Sequence, residues 1–130
     1  MILEVSIRSR NREELINIDS QIRDAIGHSG RDQGVLTVFV PHTTAAVTIN
    51  ENADATVAAD ILYKLGDLIP KGDKYRHMEG NSDAHLKASL FGSSERILVS
   101  GGRPVLGTWQ SVYFCEFDGP RTRRVIMSMD

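Results

Sequence analysis

The sequence predicts an α+β fold: mostly antiparallel β-sheets, arranged as a sandwich, with two to three helices. Three observations carry that prediction. Short apolar runs with period-two alternation or β-branched content outnumber the stretches with helical spacing. The helical stretches do not alternate strictly with the strands, as a doubly wound parallel sheet requires. The chain has 130 residues, enough for one domain with a real hydrophobic core, so a single domain spans residues 1–130.

Leu3, Val5 and Ile7 alternate with Glu4, Ser6 and Arg8 and form a half-buried first strand. Asn11-Arg12 makes a turn, and Leu15-Ile16-Asn17-Ile18 pairs back as a second, short strand. Asp19 is the N-cap of a helix whose apolar face is Ile22, Ala25 and Ile26, ended by Gly27 or Gly30. His28 lies in its terminal turn, where a cation complements the helix dipole. Val35 to Val40 is apolar and β-branched, a buried central strand. Pro41-His42-Thr43-Thr44 interrupts it, and Ala45 to Ile49 continues as another strand after a bend that aims His42 at a surface.

Asp54 caps a helix to about Leu65, with Val57, Ile61 and Leu65 on one face and Gly66 at its end. Residues 67–83 hold Pro70, Gly72 and Gly80, and a stretch this long without regular structure is usually functional. Helical spacing resumes from Ala84 to Leu90 and stops at Gly92. Ile97 to Val99 is a strand, Gly101-Gly102 a turn, Val105 to Phe117 a long strand or a bulged pair, and Val125 to Met127 the last strand. Val112 to Phe117 offers more apolar side chains than a small subunit buries on two faces, which hints at cover from a neighbouring copy.

Composition narrows the function. A net charge of −2 gives no electrostatic reason to expect nucleic acid or an anionic membrane. Arg121, Arg123 and Arg124 make a local basic cluster, read as solvated arginines beside an edge strand in preference to a site that meets an anion. No run approaches the length of a membrane span, and the N-terminus lacks a signal segment. Cys115 is the only cysteine, so no internal disulfide forms, which fits a reducing cytoplasm. Within Val112-Tyr113-Phe114-Cys115 it is a buried, inert thiol rather than a nucleophile. Nucleophile-elbow, Walker and dinucleotide motifs do not occur.

The candidate site residues sit where apolar runs end. His42, His77 and His85 lie among Glu51, Asn52, Asp54, Glu79, Asn81 and Asp83. Imidazole and carboxylate suit a divalent metal, and the same groups move protons near neutral pH. From 77 to 85 a polar ligand type recurs at every second position, so in extended backbone several converge on one face. Asp83 caps the next helix, which puts His85 in its first turn, where the exposed N–H groups favour neutral imidazole. The spacing of an EF-hand is absent. Glu51-Asn52-Ala53-Asp54 carries more polar groups than a cap needs, with Glu51 suited to proton transfer or metal and Asn52 to orienting a ligand. Trp109 is either a core residue beside Gly107 or a stacking platform whose neighbour Gln110 bonds a ligand's edge.

Together these segments resemble the YjbQ-like family, some of whose members bear the name secondary thiamine-phosphate synthase. The resemblance rests on His42 through Asp54, on His77 through Gly92, on Gly107-Thr108-Trp109-Gln110 and on Arg123-Arg124-Val125-Ile126, with Ala55 standing where members often have proline. It implies an α+β subunit assembled as a homotrimer, with the polar pocket near the subunit contacts. It also implies a reaction that joins a pyrimidine carrying diphosphate to a thiazole phosphate and releases pyrophosphate. Such chemistry uses a divalent ion (zinc, magnesium or manganese) on the diphosphate and a flat side chain against the pyrimidine. The roles this suggests are catalytic for His42, Glu51, Asp83 and His85, ligand-binding for Thr43, Asn52, Asn81, Trp109 and Gln110, and metal-ligating for His42, His77 and His85. Glu79 is a further candidate carboxylate. The alternative is a non-catalytic module binding a small ligand or a metal.

Overall fold

The computed structural model describes residues 1–130 as eight strands and three helices. The order is β1 (Ile2–Arg8), β2 (Glu14–Asn17), α1 (Asp19–Ser29), β3 (Gly34–Phe39), β4 (Ala45–Glu51), α2 (Ala55–Leu68), α3 (Ser82–Phe91), β5 (Ser94–Ser100), β6 (Arg103–Pro104), β7 (Gln110–Glu116) and β8 (Thr122–Met129). They form two antiparallel sheets, β1-β8-β3-β5-β6 and β2-β7-β4. The predicted α+β class holds.

Alternation explains how the sheets pack. On the large sheet Leu36, Val38, Ile97, Val99, Val125 and Met127 turn inward and meet Val47, Val112 and Phe114 of the small sheet, with Ile18, Ile22 and Ile26 closing one end. The opposite face of the small sheet is also covered. Ala46, Tyr113, Cys115 and Phe117 pack against Ala84 and Ala88 of α3 and against Leu62 and Leu65 of α2. That double burial corrects the reading of Val112 to Phe117: its apolar side chains are satisfied within one chain, and no neighbouring copy is needed for them. Burial also pushes the Cys115 thiol far above its ordinary value, as an inert core thiol requires.

Several local expectations change. β2 pairs with β7 rather than with β1, because residues between Arg8 and Glu14 carry the chain from one sheet to the other. Asp19 is the first residue of α1 and not its cap. Asn17 Oδ1 accepts from the Asp19 N–H at 2.8 Å, and Asp19 Oδ1 accepts from the Val112 N–H at 2.8 Å. The αL residue Gly30 ends α1, with His28 in the last turn, as the sequence suggests. Asp54 does cap α2, accepting from the Thr56 N–H at 2.9 Å. The helix nevertheless runs through Gly66 to Leu68, since an isolated glycine weakens a helix without stopping it. α3 begins at Ser82 with Asn81 at the N-cap position, so Asp83 lies inside the helix and does not cap it. The strand expected from Val105 starts only at Gln110. β8 lies between β1 and β3, so Arg123 and Arg124 are not on an edge strand.

Candidate functional site

The site is built where the chain changes sheets. Residues 41–44 leave β3 in the large sheet and enter β4 in the small one, and this corner holds His42. The Arg124 N–H donates to His42 Nε2 at 3.0 Å. A ring nitrogen that accepts must be unprotonated, so His42 carries its proton on Nδ1 and offers an N–H there. Burial, followed by the positive charge of Arg123, holds its pKa below the ordinary histidine value. His42 is therefore a neutral donor near neutral pH.

Opposite this corner stands the start of α3. A cleft of about 500 Å³ is lined by His42 and Thr43 from the corner, by His77, Glu79, Asn81 and His85 from the second segment, and by Asp118, Arg121 and Arg123 from the approach to β8. A smaller recess of about 380 Å³ continues between His42, Thr43, His85, Ser89 and Ser93. His77 and His85 meet edge to face, with ring centroids 5.5 Å apart and an interplanar angle of 89°. His77 Nε2 lies 3.9 Å from Glu79 Oε2. The structure thus brings together all three imidazoles, Thr43, Glu79 and Asn81. It does so by a turn followed by a helix, and not by the extended segment that the alternation suggested.

Asp83 does something else. Its side chain is fully buried behind the cleft, where Arg12 Nη2 donates at 2.9 Å to Oδ1 and Lys87 Nζ donates at 2.9 Å to Oδ2. Lys87 is 1% exposed and also donates to Glu13 at 3.0 Å. Burial pushes the Asp83 carboxyl up, but hydrogen bonds from Arg12 and Lys87 and their charges outweigh it and hold it below the usual range. A carboxylate so placed cannot touch a ligand. The structure thus does not place Asp83 in the cleft, against the catalytic role read for it; its carboxylate is engaged by Arg12 and Lys87 two residues before His85.

A second buried pair backs the other wall. Arg123 donates through Nε to Glu116 Oε1 at 2.9 Å and through Nη2 to Thr44 Oγ1 at 2.8 Å, and Ser9 Oγ donates to the same carboxylate at 2.7 Å. Gly119 passes so close beneath this cluster that a Cβ there would collide with the Asn11 carbonyl. The basic tail is therefore not a solvated cluster: Arg123 is buried against Glu116, while Arg121 and Arg124 pair with Asp118 at 3.2 Å and Glu4 at 2.6 Å. Asn81 ties the two walls together by donating from Nδ2 to Asp118 Oδ2 at 2.9 Å. Its Oδ1 is buried and has no partner.

The remaining predicted residues lie elsewhere. Glu51 ends β4, roughly 20 Å along the strand from the His42 corner. It pairs in register with Gln110. Asn52 Oδ1 accepts from the Tyr113 hydroxyl at 2.7 Å, and the Asn52 N–H donates to the Trp109 carbonyl at 2.9 Å. Gln110 Oε1 is occupied by the Gly107 N–H at 2.7 Å. Trp109 is 64% exposed, which excludes the core reading. Within one chain, Glu51, Asn52, Trp109 and Gln110 form a second polar group and do not join the imidazole cleft.

The donor set bears on a metal. Imidazoles and a carboxylate suit zinc or manganese, and the orphaned Asn81 Oδ1 is an acceptor that a cation satisfies. Yet no three His, Cys, Asp or Glu side chains converge at ligand distance, and His42 Nε2 is already engaged. The chain alone therefore holds no complete set of metal ligands.

Sequence reading overlooked Arg12, Thr44, Lys87, Glu116 and Asp118, all of which shape the cleft. A signal existed for Lys87, and another for the burial of Arg123. Arg123, Val125, Met127 and Met129 share one face of β8, so the arginine stands in a core-facing row. Likewise Lys87 shares the buried helical face of Ala84 and Ala88.

The comparisons with known proteins agree along the whole chain. The family model described as UPF0047 protein YjbQ-like matches residues 3–129. A UPF0047 protein of Methanocaldococcus jannaschii is 50% identical over 123 residues, covering 95% of this chain and 89% of that one. UPF0047 protein YugU of Bacillus subtilis is 43% identical over 130 residues, covering 99% and 98%. Among solved structures, an uncharacterised conserved protein of the same family from Clostridium acetobutylicum superposes with a TM-score of 0.97 at 48% identity, covering 98% and 99%. A YbjQ-like protein of unknown function from Sulfolobus solfataricus gives 0.94 at 30% identity, covering 99% and 95%. This chain belongs to the UPF0047 YjbQ-like family.

Proposed function

We propose that the imidazole cleft binds a small phosphorylated molecule and acts on it, with thiamine-phosphate formation as the named reaction. The observation that supports this reading is the convergence of His42, His77 and His85, from two separate segments, on a cleft of small-molecule size. In that reaction a carbon–nitrogen bond forms between the pyrimidine's methylene carbon and the thiazole nitrogen. The carbon–oxygen bond to diphosphate breaks, and pyrophosphate leaves with the electron pair. The work for protein groups is to stabilise charge growing on the leaving oxygens. His42 Nδ1–H and the Thr43 hydroxyl are donors without an internal partner for that task, and His85 can deliver a proton to the departing group. A divalent ion held by His77 and His85 would neutralise diphosphate charge when bound, in place of the proton from His85.

The test is calorimetric titration of pyrophosphate, together with a turnover assay on the two thiamine precursors. His42→Ala and His85→Ala are each expected to weaken pyrophosphate about tenfold, the loss of one charge-assisted hydrogen bond. Unchanged affinity in both variants, with melting temperature preserved, rejects the site. Tight pyrophosphate binding with no product in a single-turnover experiment favours the non-catalytic binding module instead. That reading is supported by the pairing of Arg121, Arg123 and Arg124 with carboxylates, which leaves the polar cleft short of free cations.

The assembly we propose is a homotrimer. α2 carries no fully buried residue, and it leaves Tyr63 77% and Leu68 67% exposed, more apolar surface than a lone subunit's helix usually shows. Sedimentation equilibrium is expected to give three times the chain mass, and a Leu68→Glu variant is expected to shift it towards the monomer. A monomeric wild-type mass defeats the proposal. No helix is long and apolar enough to cross a membrane.

A further inference from the structure

The His77–His85 pair has a second side. Tyr75, Arg76, Ser82 and Leu86 wall a separate hollow of about 390 Å³ that shares His77 and His85 with the polar cleft. Its size suits one small molecule. Its chemistry differs from that of the polar cleft, where carboxylates, arginines and a carboxamide dominate. Here the walls are a phenol ring, a leucine, two imidazoles, one hydroxyl and one guanidinium, with no carboxylate.

The parts are arranged for a flat occupant. The Tyr75 hydroxyl donates to the Pro70 carbonyl at 2.6 Å, which fixes the far end of its ring and lowers the entropy cost of stacking against it. Leu86, one residue after His85, is 47% exposed and supplies an aliphatic surface. Arg76 differs from the other arginines around the site. Arg12, Arg121, Arg123 and Arg124 each hold a carboxylate, whereas Arg76 makes no ion pair and no side-chain hydrogen bond. An unpaired guanidinium is planar and weakly hydrated, and it stacks readily on π-systems.

We propose that this hollow is a binding subsite for a flat heteroaromatic ring, seated against Tyr75 and Leu86 beside the Arg76 guanidinium. His77 and His85 then stand between a ring on one side and a polar, phosphorylated group on the other. The proposal deepens the reading of the polar cleft and rests on it only for the phosphate side. It adds where a substrate's ring sits, on the far side of the imidazole pair from the phosphate-bearing part. None of the sequence-level candidates Trp109, Asn52 or Gln110 is needed to hold that ring.

The experiment uses 4-aminopyrimidine as the ring, cyclohexylmethanol as a non-aromatic control of similar size and pyrophosphate as the polar probe, each titrated into the full chain and followed by NMR. Tyr75→Ala and Leu86→Glu are each expected to weaken 4-aminopyrimidine about tenfold, the range for losing one stacking surface, with pyrophosphate affinity unchanged. Cyclohexylmethanol is expected to bind more weakly than the aromatic ring to the wild type. Leu86 is half-exposed, so its variant retains the fold even where Tyr75→Ala does not. Equal binding of the two probes, or 4-aminopyrimidine affinity insensitive to Leu86→Glu, overturns the subsite. Ring binding with these sensitivities, but without any pyrophosphate binding, upholds the subsite and defeats the phosphate reading of the neighbouring cleft.

Discussion

Asp83→Ala is expected to destabilise the protein by about 3–5 kcal/mol, the range for leaving a buried charge without its partner. Asp83 is fully buried, and Lys87 beside it is 1% exposed. Removing the carboxylate leaves the Lys87 ammonium in the core with only Glu13, whose side chain is 23% exposed. Arg12 fares better, because it is 27% exposed and already within 3.0 Å of Glu13. The cost therefore falls mainly on Lys87. Urea denaturation at neutral pH measures it, and a loss below about 1 kcal/mol, the worth of an exposed pair, would show that the network is not desolvated.

The double variant Asp83→Leu, Lys87→Met separates stability from placement. Both charges are then replaced by apolar groups of similar volume, a change that is often neutral or better in a core. Arg12 and Glu13 remain and pair with each other. Most of the lost stability is expected to return, while pyrophosphate affinity stays reduced, because α3 and its His85 are no longer pinned to residues 12 and 13. Full recovery of both would make the network structural filler rather than a support for the site.

The same residues show what a sequence can and cannot disclose. Asp54 declares itself as a cap because capping is local: one side chain reaches a backbone group two residues on. The strands were legible from alternation for the same reason. Asp83 looks identical to Asp54 in sequence, a carboxylate ahead of an apolar run, yet it pairs with Arg12, which is 71 positions distant. No periodicity encodes such a pairing. Glu51 and His42 failed in the opposite sense. They are close in sequence, but the extended strand β4 begins just after the His42 corner and ends at Glu51, which carries the two apart. Proximity along a strand separates residues, whereas the turn and helix of 77–85 gather them. The paired sheets likewise account for the strand Val112 to Phe117, whose two buried faces no single-strand pattern could assign to one chain.

Acid should remove the other wall of the cleft, and Glu116→Gln isolates how. Glu116 is fully buried and Arg123 is 5% exposed, so the glutamine variant leaves a guanidinium nearly as stranded as Lys87 in Asp83→Ala. A loss of about 3–5 kcal/mol is expected at neutral pH. The pH dependence is more specific. Burial raises the Glu116 carboxyl, but hydrogen bonds from Arg123, Ser9 and the Asp118 N–H, with the Arg123 charge, outweigh it and hold the group below its ordinary value. The folded state thus binds the proton less readily than the unfolded chain. Stability from this pair is complete above the unfolded value near pH 4 and disappears as pH falls through the depressed folded value. Each such group contributes a slope of up to about 1.4 kcal/mol per pH unit in that window. Denaturation curves between about pH 4.5 and 2 should therefore be less steep in pH for Glu116→Gln than for the wild type, by about one proton. An unchanged slope would mean that Glu116 is not ionised in the folded protein. Arg123→Met offers the reciprocal check: the carboxyl loses its largest support, burial then dominates, and the acid-side loss of stability should move towards neutral pH. Thr44 connects this electrostatics to function, since Arg123 holds its hydroxyl at 2.8 Å and Thr44 closes the corner that carries His42. If the corner is set by the pair, pyrophosphate binding should fall along the same acid limb as stability; binding that survives below it would place the anion site on the α3 side alone.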